Sequence, residues 1–269
     1  MNNIAMRNLF PSSGAVSADT PSRQDRLAAL RREIDVGEGY RSPVENHGLA
    51  FGVPQIDAHL PRGLEMQGLH DIAPTDYRAM PAAMGFLLAT TVCFLRQRKG
   101  LVLWPLLKTT DTLFGAPYAP GLARMGLDPG RVLIVRCRTR QEILWVMEEG
   151  AKLGGLAAIL GTRPERMDLT ASRRLKLAAA PSHTPILLLR TPQDTNPSAA
   201  LTRWRIAPAL TAQNEIAPSA ITRWSVVLEE ARGGRSGHWI MEWDHVALRF
   251  RLAADVSDRA APQARRRIA

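Results

Sequence analysis

The run Gly68-Leu69-His70-Asp71-Ile72-Ala73-Pro74-Thr75-Asp76-Tyr77-Arg78-Ala79-Met80-Pro81 offers a place for phosphate chemistry. It joins a short apolar stretch of strand type to a long apolar stretch of helix type, residues 82–95. In a nucleotide-binding α/β domain such a strand-to-helix turn holds the phosphate loop. That loop needs glycines, so that backbone N–H groups can cradle phosphate oxygens, followed by Lys-Ser or Lys-Thr for charge and Mg²⁺. Here the turn carries Pro74, Thr75, Asp76, Tyr77 and Arg78, with no lysine and no glycine before Gly85. The position is right and the chemistry is missing.

Other reactive side chains form no recognisable set. His59, His70, His183 and His245 have no metal-ligand spacing. Ser172, Ser182 and Ser236 have no nucleophile-elbow context. Cys93 and Cys137 each sit inside an apolar pattern and read as buried thiols of a reducing compartment. No catalytic residue, metal or cofactor is therefore expected. Trp145 shares a helix face with Glu142, Glu149 and Lys152 by spacing. Two readings stay open for it: an anchor for a partner, or a side chain folded over a sheet edge into the core.

The 269 residues and an apolar share of 45% suit one ordinary domain with ragged ends. No apolar run reads as long and charge-free enough to cross a membrane, and residues 1–23 lack a signal-peptide apolar region, so the cytoplasm is the expected location. The net charge is +10, mostly arginine; from Arg249 onward six arginines face only Asp255 and Asp258. That balance favours polyanions or acidic proteins as partners. Genomic bias towards arginine gives the same composition.

Residues 1–24 are small, polar and proline-bearing, and read as disordered. Residues 25–35 predict an amphipathic helix, with Leu27, Leu30 and Ile34 on one face and Arg31, Arg32 and Glu33 over the rest; a linker runs on to residue 48. Strands are predicted at 69–73, 101–104 (stopped by Pro105), 131–136, 156–160 and 185–190, and helices at 82–98, 118–125, 140–153 and 168–180. Alternation at that period implies a mostly parallel sheet covered on both faces. After Thr191 the register changes: Trp204 and Ile206, then Trp224, Val226 and Leu228, then Trp239, Met241 and Trp243, then Val246, Leu248, Phe250 and Leu252 alternate with polar neighbours. These predict antiparallel strands added to the parallel core, with the tryptophans inside. Residues 253–269 read as a basic, disordered tail.

The lead-in FGVPQIDAHLPRGLEMQGLHDI is similar to that of the RecA-like recombinase core, with Gly52, Ile56, Asp57, Leu60, Gly63, Leu64 and Gly68 at matching places. A narrower likeness rests on YAPGLARMGLDPGRVLIVR, EILWVMEEGAKLGGLAAILG, DLTASRRLKLAAA, TRWRIAPA and VVLEEARGGRSGHWIMEW. Together they resemble the ImuA family of SOS mutagenesis (translesion synthesis) accessory proteins, over about residues 49–252. The resemblance implies a RecA-like three-layer α/β core, extended by antiparallel C-terminal strands. It implies a damage-induced role beside an ImuB-like Y-family polymerase homologue and an error-prone polymerase α subunit. RecA, DNA and further copies of the chain are additional expected partners, and the nucleoid is the expected place after damage.

A RecA-type ATPase needs two more groups besides the phosphate loop, and neither is found. The strand after the first helix ends in Trp104-Pro105-Leu106-Leu107, without the acid that activates water, and Leu160 is followed by Gly161 and Thr162 where a metal-associated Asp belongs. Thr75 and Arg78 then read as a surface loop. In RecA-like proteins the loops after two central strands hold DNA; here these are residues 161–166 and 191–201. Arg163, Arg166, Arg173 and Arg174 are the candidate phosphate contacts, against the plainer reading of solvated arginines with no aromatic stacking platform. Arg259, Arg265, Arg266 and Arg267 read as an electrostatic tether to DNA or an acidic partner, or as a solubilising tail. The expected role is a catalytically silent adaptor. Its rivals are a SulA-like division inhibitor and a DNA-dependent RecA- or KaiC-like ATPase.

Overall fold

A computed structural model describes residues 48–109, 116–162, 167–209 and 221–253. The expected disordered start, the helix at 25–35 and the basic tail lie outside these residues. The described chain builds one nine-stranded sheet in the order β3-β2-β4-β5-β1-β6-β7-β8-β9. Its strands are β1 Leu69–Pro74, β2 Val102–Leu107, β3 Val132–Cys137, β4 Ala158–Thr162, β5 Ile186–Leu189, β6 Thr202–Pro208, β7 Ile221–Ala231, β8 Gly237–Asp244 and β9 Arg249–Leu252. The helices are α1 Pro54–Asp57, α2 Met80–Gln97, α3 Ala119–Met125, α4 Arg140–Leu153 and α5 Leu169–Ser182.

Strands β1 to β6 are all parallel, and β7, β8 and β9 are antiparallel. Connections that move towards the β3 edge run through α2 and α3 on one face. Those that return run through α4, α5 and residues 190–201 on the other, as right-handed crossovers require. The result is a mostly parallel three-layer α/β core with antiparallel C-terminal strands, compatible with a RecA-like core.

The sequence expectations need four corrections. Pro105 does not stop β2, which continues to Leu107. Ala157 N donates to Leu101 O, so odd-numbered β2 residues face β4, and pairing with β4 ends at Leu103. The N–H that proline lacks would therefore have met no ladder partner. Second, β6 is parallel to β1, not antiparallel, because residues 190–201 carry the chain back to the starting end of the sheet before β6 begins. Third, Val246 and Leu248 lie in the turn between β8 and β9, where Asp244 Oδ1 accepts from Val246 N and Ala247 N and Leu248 has φ 50°. Fourth, the stretch Tyr77–Gln97 is long and apolar enough for a membrane span on length and composition alone. It is a core helix: Phe86, Leu87, Ala89, Val92 and Phe94 are all buried.

One face of α2 lies on the parallel strands. Strand β6 and the antiparallel strands beyond it bring Trp204, Trp224, Trp243 and Phe250 over it, with Phe86 5.7 Å from Trp204, 5.9 Å from Trp224 and 5.5 Å from Phe250, ring centre to ring centre. Gly85 admits this packing, since a Cβ there would stand 3.1 Å from the Trp224 ring. At the other end of α2 the Arg131 guanidinium donates to Arg98 O (3.0 Å) and Gly100 O (2.8 Å), closing carbonyls that the helix end leaves unpaired. Of the two cysteines Cys137 is buried; Cys93 is half-buried, and burial pushes its thiol up to about 12.

Strands β1 and β6 are joined by a buried polar chain. Trp204 Nε1 donates to Thr202 Oγ1 (2.8 Å), Thr202 Oγ1 donates to His70 Nδ1 (2.9 Å), and His70 Nε2 donates to Glu65 O (2.8 Å). A carbonyl only accepts, so Nε2 carries the proton and Nδ1 is the acceptor. Burial lowers the His70 pKa from 6.5 to about 4, partly opposed by the Glu65 carbonyl. The unfolded chain thus binds a proton that the folded chain refuses. The stabilisation is complete above pH 6.5 and is lost as pH falls towards 4. Urea unfolding at pH 7 and pH 4.5 is expected to show an acid loss that is about 2–3 kcal/mol smaller in His70→Gln than in the parent. Equal losses in the two proteins would contradict the assignment.

Candidate functional site

In an open α/β sheet, ligands bind where neighbouring strands send their connections to opposite faces. Strands β1 and β5 are such neighbours: β1 leads into α2 and β5 into residues 190–201, on the other side. The crevice at their C-terminal ends is where a triphosphate would sit, and here the chain's own groups bond to one another at its mouth.

The turn after β1 is short. Thr75 N donates to Ile206 O (3.0 Å), Tyr77–Ala79 form one 3₁₀ turn, and α2 starts at Met80, two residues earlier than the apolar pattern predicts. Asp76 caps the turn: its Oδ1 accepts from Arg78 N (2.7 Å) and Ala79 N (3.0 Å). Met80 N donates to Tyr77 O, and Pro81 has no N–H. The amides that would cradle an anion are thus satisfied by a carboxylate of the same turn. Across the crevice Tyr77 OH donates to Gln193 Oε1 (2.7 Å). Pro74 ends β1 buried, while Thr75, Asp76, Tyr77 and Arg78 are exposed.

The two other ATPase positions carry no acid. Strand β2 passes into Lys108 without an acidic residue at its end. Gly161 stands in β4 where the metal-associated aspartate would belong, with the Met147 side chain packed over it: a Cβ there would stand 1.6 Å from Met147 Cε.

Below the crevice lies a buried ionic cluster that sequence reading missed. Arg190, 2% exposed, pairs through Nη1 with Asp71 Oδ2 (3.2 Å) and through Nη2 with Asp194 Oδ1 (3.1 Å), and it donates to Asn196 O (3.0 Å). Ala199 N donates to Ser172 Oγ on α5 (3.0 Å). The segment after β5, which matches in position a loop that holds DNA in RecA-like proteins, is a crossover tied to Arg190 and to α5. The available signal was a charged residue at the end of an apolar strand with Asp194 four positions on; a pattern read only for hydrophobicity passes over it.

The predicted contact residues separate. Arg163, Arg166, Arg259, Arg265, Arg266 and Arg267 lie outside the described residues. Arg173 and Arg174 are exposed on α5, and Arg174 pairs with Glu148 of α4. Trp145 is half-buried: it packs on the core between the sheet and helices α4 and α5, and walls a cleft of 510 Å³ between those helices, which Arg174 also lines. Burial works against the charge of Glu148, and Lys152 (2.8 Å) and Arg174 outweigh it, holding the carboxyl below its usual range. Among the described residues no group of three or more His, Cys, Asp or Glu side chains could hold a metal ion.

Among the described residues no helix covers strands β6 to β9 on the side away from α2. Their outer face carries cross-strand pairs: Arg203 with Glu230 (3.0 Å), Arg205 with Glu229, Arg223 with Glu242 and Arg251 with Asp244 (2.8 Å). Arg249, exposed on β9 opposite Asp244, adds a fifth arginine to these four pairs.

No known family model matches the chain. The chain is similar to Protein ImuA of Caulobacter vibrioides, in each of two strains, at 34% identity over 244 residues; the match covers 81% of this chain and 95% of the relative.

Replacing Arg190 leaves Asp71 and Asp194 buried without their cation. Arg190→Met is expected to cost about 3–5 kcal/mol in urea unfolding and to speed amide exchange across 191–201. Adding Asp71→Asn is expected to recover part of the loss. Unchanged exchange in that segment would refute the pinning.

Proposed function

We propose, for a chain that belongs to the ImuA family, that it serves as a non-catalytic RecA-like adaptor in DNA-damage-induced mutagenesis. Family membership supports the damage-response setting. The observation that carries the non-catalytic part is Asp76: its carboxylate takes the amides at the start of α2 that a triphosphate would need. The absence of an acid at the end of β2 and at Gly161, and the Tyr77–Gln193 bridge, support the same reading.

On this reading the chain holds an ImuB-like Y-family polymerase homologue and an error-prone polymerase α subunit together on damaged templates. The face of β6 to β9, where each of four arginines is paired with an acid, suits a protein partner better than DNA, which needs a large net excess of cations. The arginines at 259 and 265–267 supply that excess, and we assign them the electrostatic tether.

Purified chain with Mg²⁺ and ATP is expected to show turnover at background, with and without single-stranded DNA. DNA-stimulated hydrolysis that is lost on changing Thr75 would overturn the non-catalytic reading. In cells, loss of the gene is expected to lower damage-induced mutation frequency. Filamentation on overproduction without damage would move the reading to a division inhibitor.

Removal of residues 254–269 is expected to leave the unfolding midpoint unchanged while weakening retention on DNA or on the polymerase-like partner at least several-fold. Identical gel-shift and pull-down behaviour would remove the tether.

A further inference from the structure

At the end of the sheet opposite the crevice, the turn between β7 and β8 meets α5 and the segment that leads into β1. Arg232 N donates to Leu201 O (2.8 Å), which fixes the turn beside the crossover that Ser172 of α5 holds at Ala199. Lys176 lies one helical turn after Ser172, on the same side of α5, and Arg173 is its neighbour three positions back. On the other flank Arg235 N donates to His59 O (3.0 Å). Three residues beyond His59, the Arg62 side chain stands 3.9 Å from Glu65.

Cations outnumber acids here. Arg62, Arg173, Arg232 and Arg235 are exposed and Lys176 is half-buried. Glu230 is taken by Arg203 (3.0 Å), and Asp57 holds the amides of Phe51 (2.8 Å) and Val53 (3.0 Å). Counting Asp57 with Glu65, five cations against two acids leave a net charge of +3. Among the described residues Arg173, Lys176, Arg232 and Arg235 form no salt bridge. Two of these cations oppose each other directly: burial, and then Arg232, lower the pKa of Lys176, with Glu65 acting against them.

We infer that this face binds the sugar-phosphate backbone of duplex DNA, which rests on the DNA-contact part of the reading above and adds to the tail a contact on the folded body. The cations are spread over three segments of the chain rather than closed around one point, which suits a row of phosphates and not a single anion. The exposed aromatic rings among the described residues, Tyr77 and Tyr118, stand at the far end of β1 and at the start of α3. Bases therefore find no stacking platform beside these cations, and a single strand gains nothing over a duplex. An acidic protein would need an apolar centre to bury, and Leu177 is the one large apolar side chain exposed beside them. Contacts to phosphate carry no sequence information, so the binding is independent of sequence.

The test is the anisotropy of a labelled mixed-sequence duplex titrated with full-length chain over a range of salt. One variant carries Lys176→Gln, Arg232→Gln and Arg235→Gln. A second, with the same change in charge, carries Lys108→Gln, Arg138→Gln and Arg249→Gln at exposed positions elsewhere. Equal unfolding midpoints check that both keep the fold. The first variant is expected to bind at least about tenfold more weakly, with the slope of log K against log salt shallower by about 2–3, one phosphate contact contributing about 0.9. The second is expected to lose less than about threefold. No binding of duplex by the parent chain, or equal losses in the two variants, would overturn the inference. Displacement by polyglutamate as effective as by unlabelled duplex would also overturn it, and would give the face to an acidic protein. Each of these failures leaves the turnover, mutation-frequency and tail-removal tests of the adaptor reading to be decided by their own results.

Discussion

A helix that is apolar around nearly its whole circumference needs cover on every side, and that need at α2 organises this molecule. The parallel strands cover one side. The other is closed by α1, α3 and, above all, by strands that the parallel core does not itself require. Trp204, Trp224, Trp243 and Phe250 reach over Phe86 from β6 to β9, and the notch at Gly85 lets them sit close. The antiparallel extension is therefore part of the core of the domain, not an appendage to it. Arg131 finishes the same helix by taking the carbonyls at its far end.

The same helix decides what its leading end can do. A helix N-terminus attracts anions, through free N–H groups and the macrodipole. Here Asp76 supplies the anion from within, and the turn is too short to supply more amides. Arg190 acts similarly on the next connection: with Asp71 beneath it and Asp194 above, it turns what would be a free loop into a strap along α5. Both devices exchange a place for a ligand for a fixed piece of backbone.

Much of this was legible in the residues. Strand and helix periods located nearly every element of the parallel core, and Asp168 marked the start of α5, where it accepts from Ala171 N at 2.7 Å. The missing lysine and acids marked the silent positions. What failed were features decided by neighbours rather than by the local pattern. Pro105 is tolerated only because β4 has stopped pairing beside it. The direction of β6 depends on a return path without a helix, which carries no periodic signal. Val246 and Leu248 alternate like strand residues, yet Asp244 draws their amides into a turn. Other signals were present and unread: Thr139 and Glu142 form an N-terminal capping pattern, with Glu142 N donating to Thr139 Oγ1 at 3.1 Å and Arg138 N to Glu142 Oε2 at 2.8 Å.

The closed crevice between β1 and β5 bears on how such a domain can change over generations. Supplying a lysine at Thr75 would leave Asp76 on the amides, Pro81 without a donor, Tyr77 bridged to Gln193 and Met147 against Gly161. The obstacles are spread over the turn, α2 and α4, and lengthening the turn would also disturb the start of the helix at the centre of the core. For the non-catalytic adaptor proposed above, gaining a triphosphate site would thus take several changes together, with no partial reward. Selection on this scaffold is left to act on its outer faces, which can drift and specialise without reopening the interior.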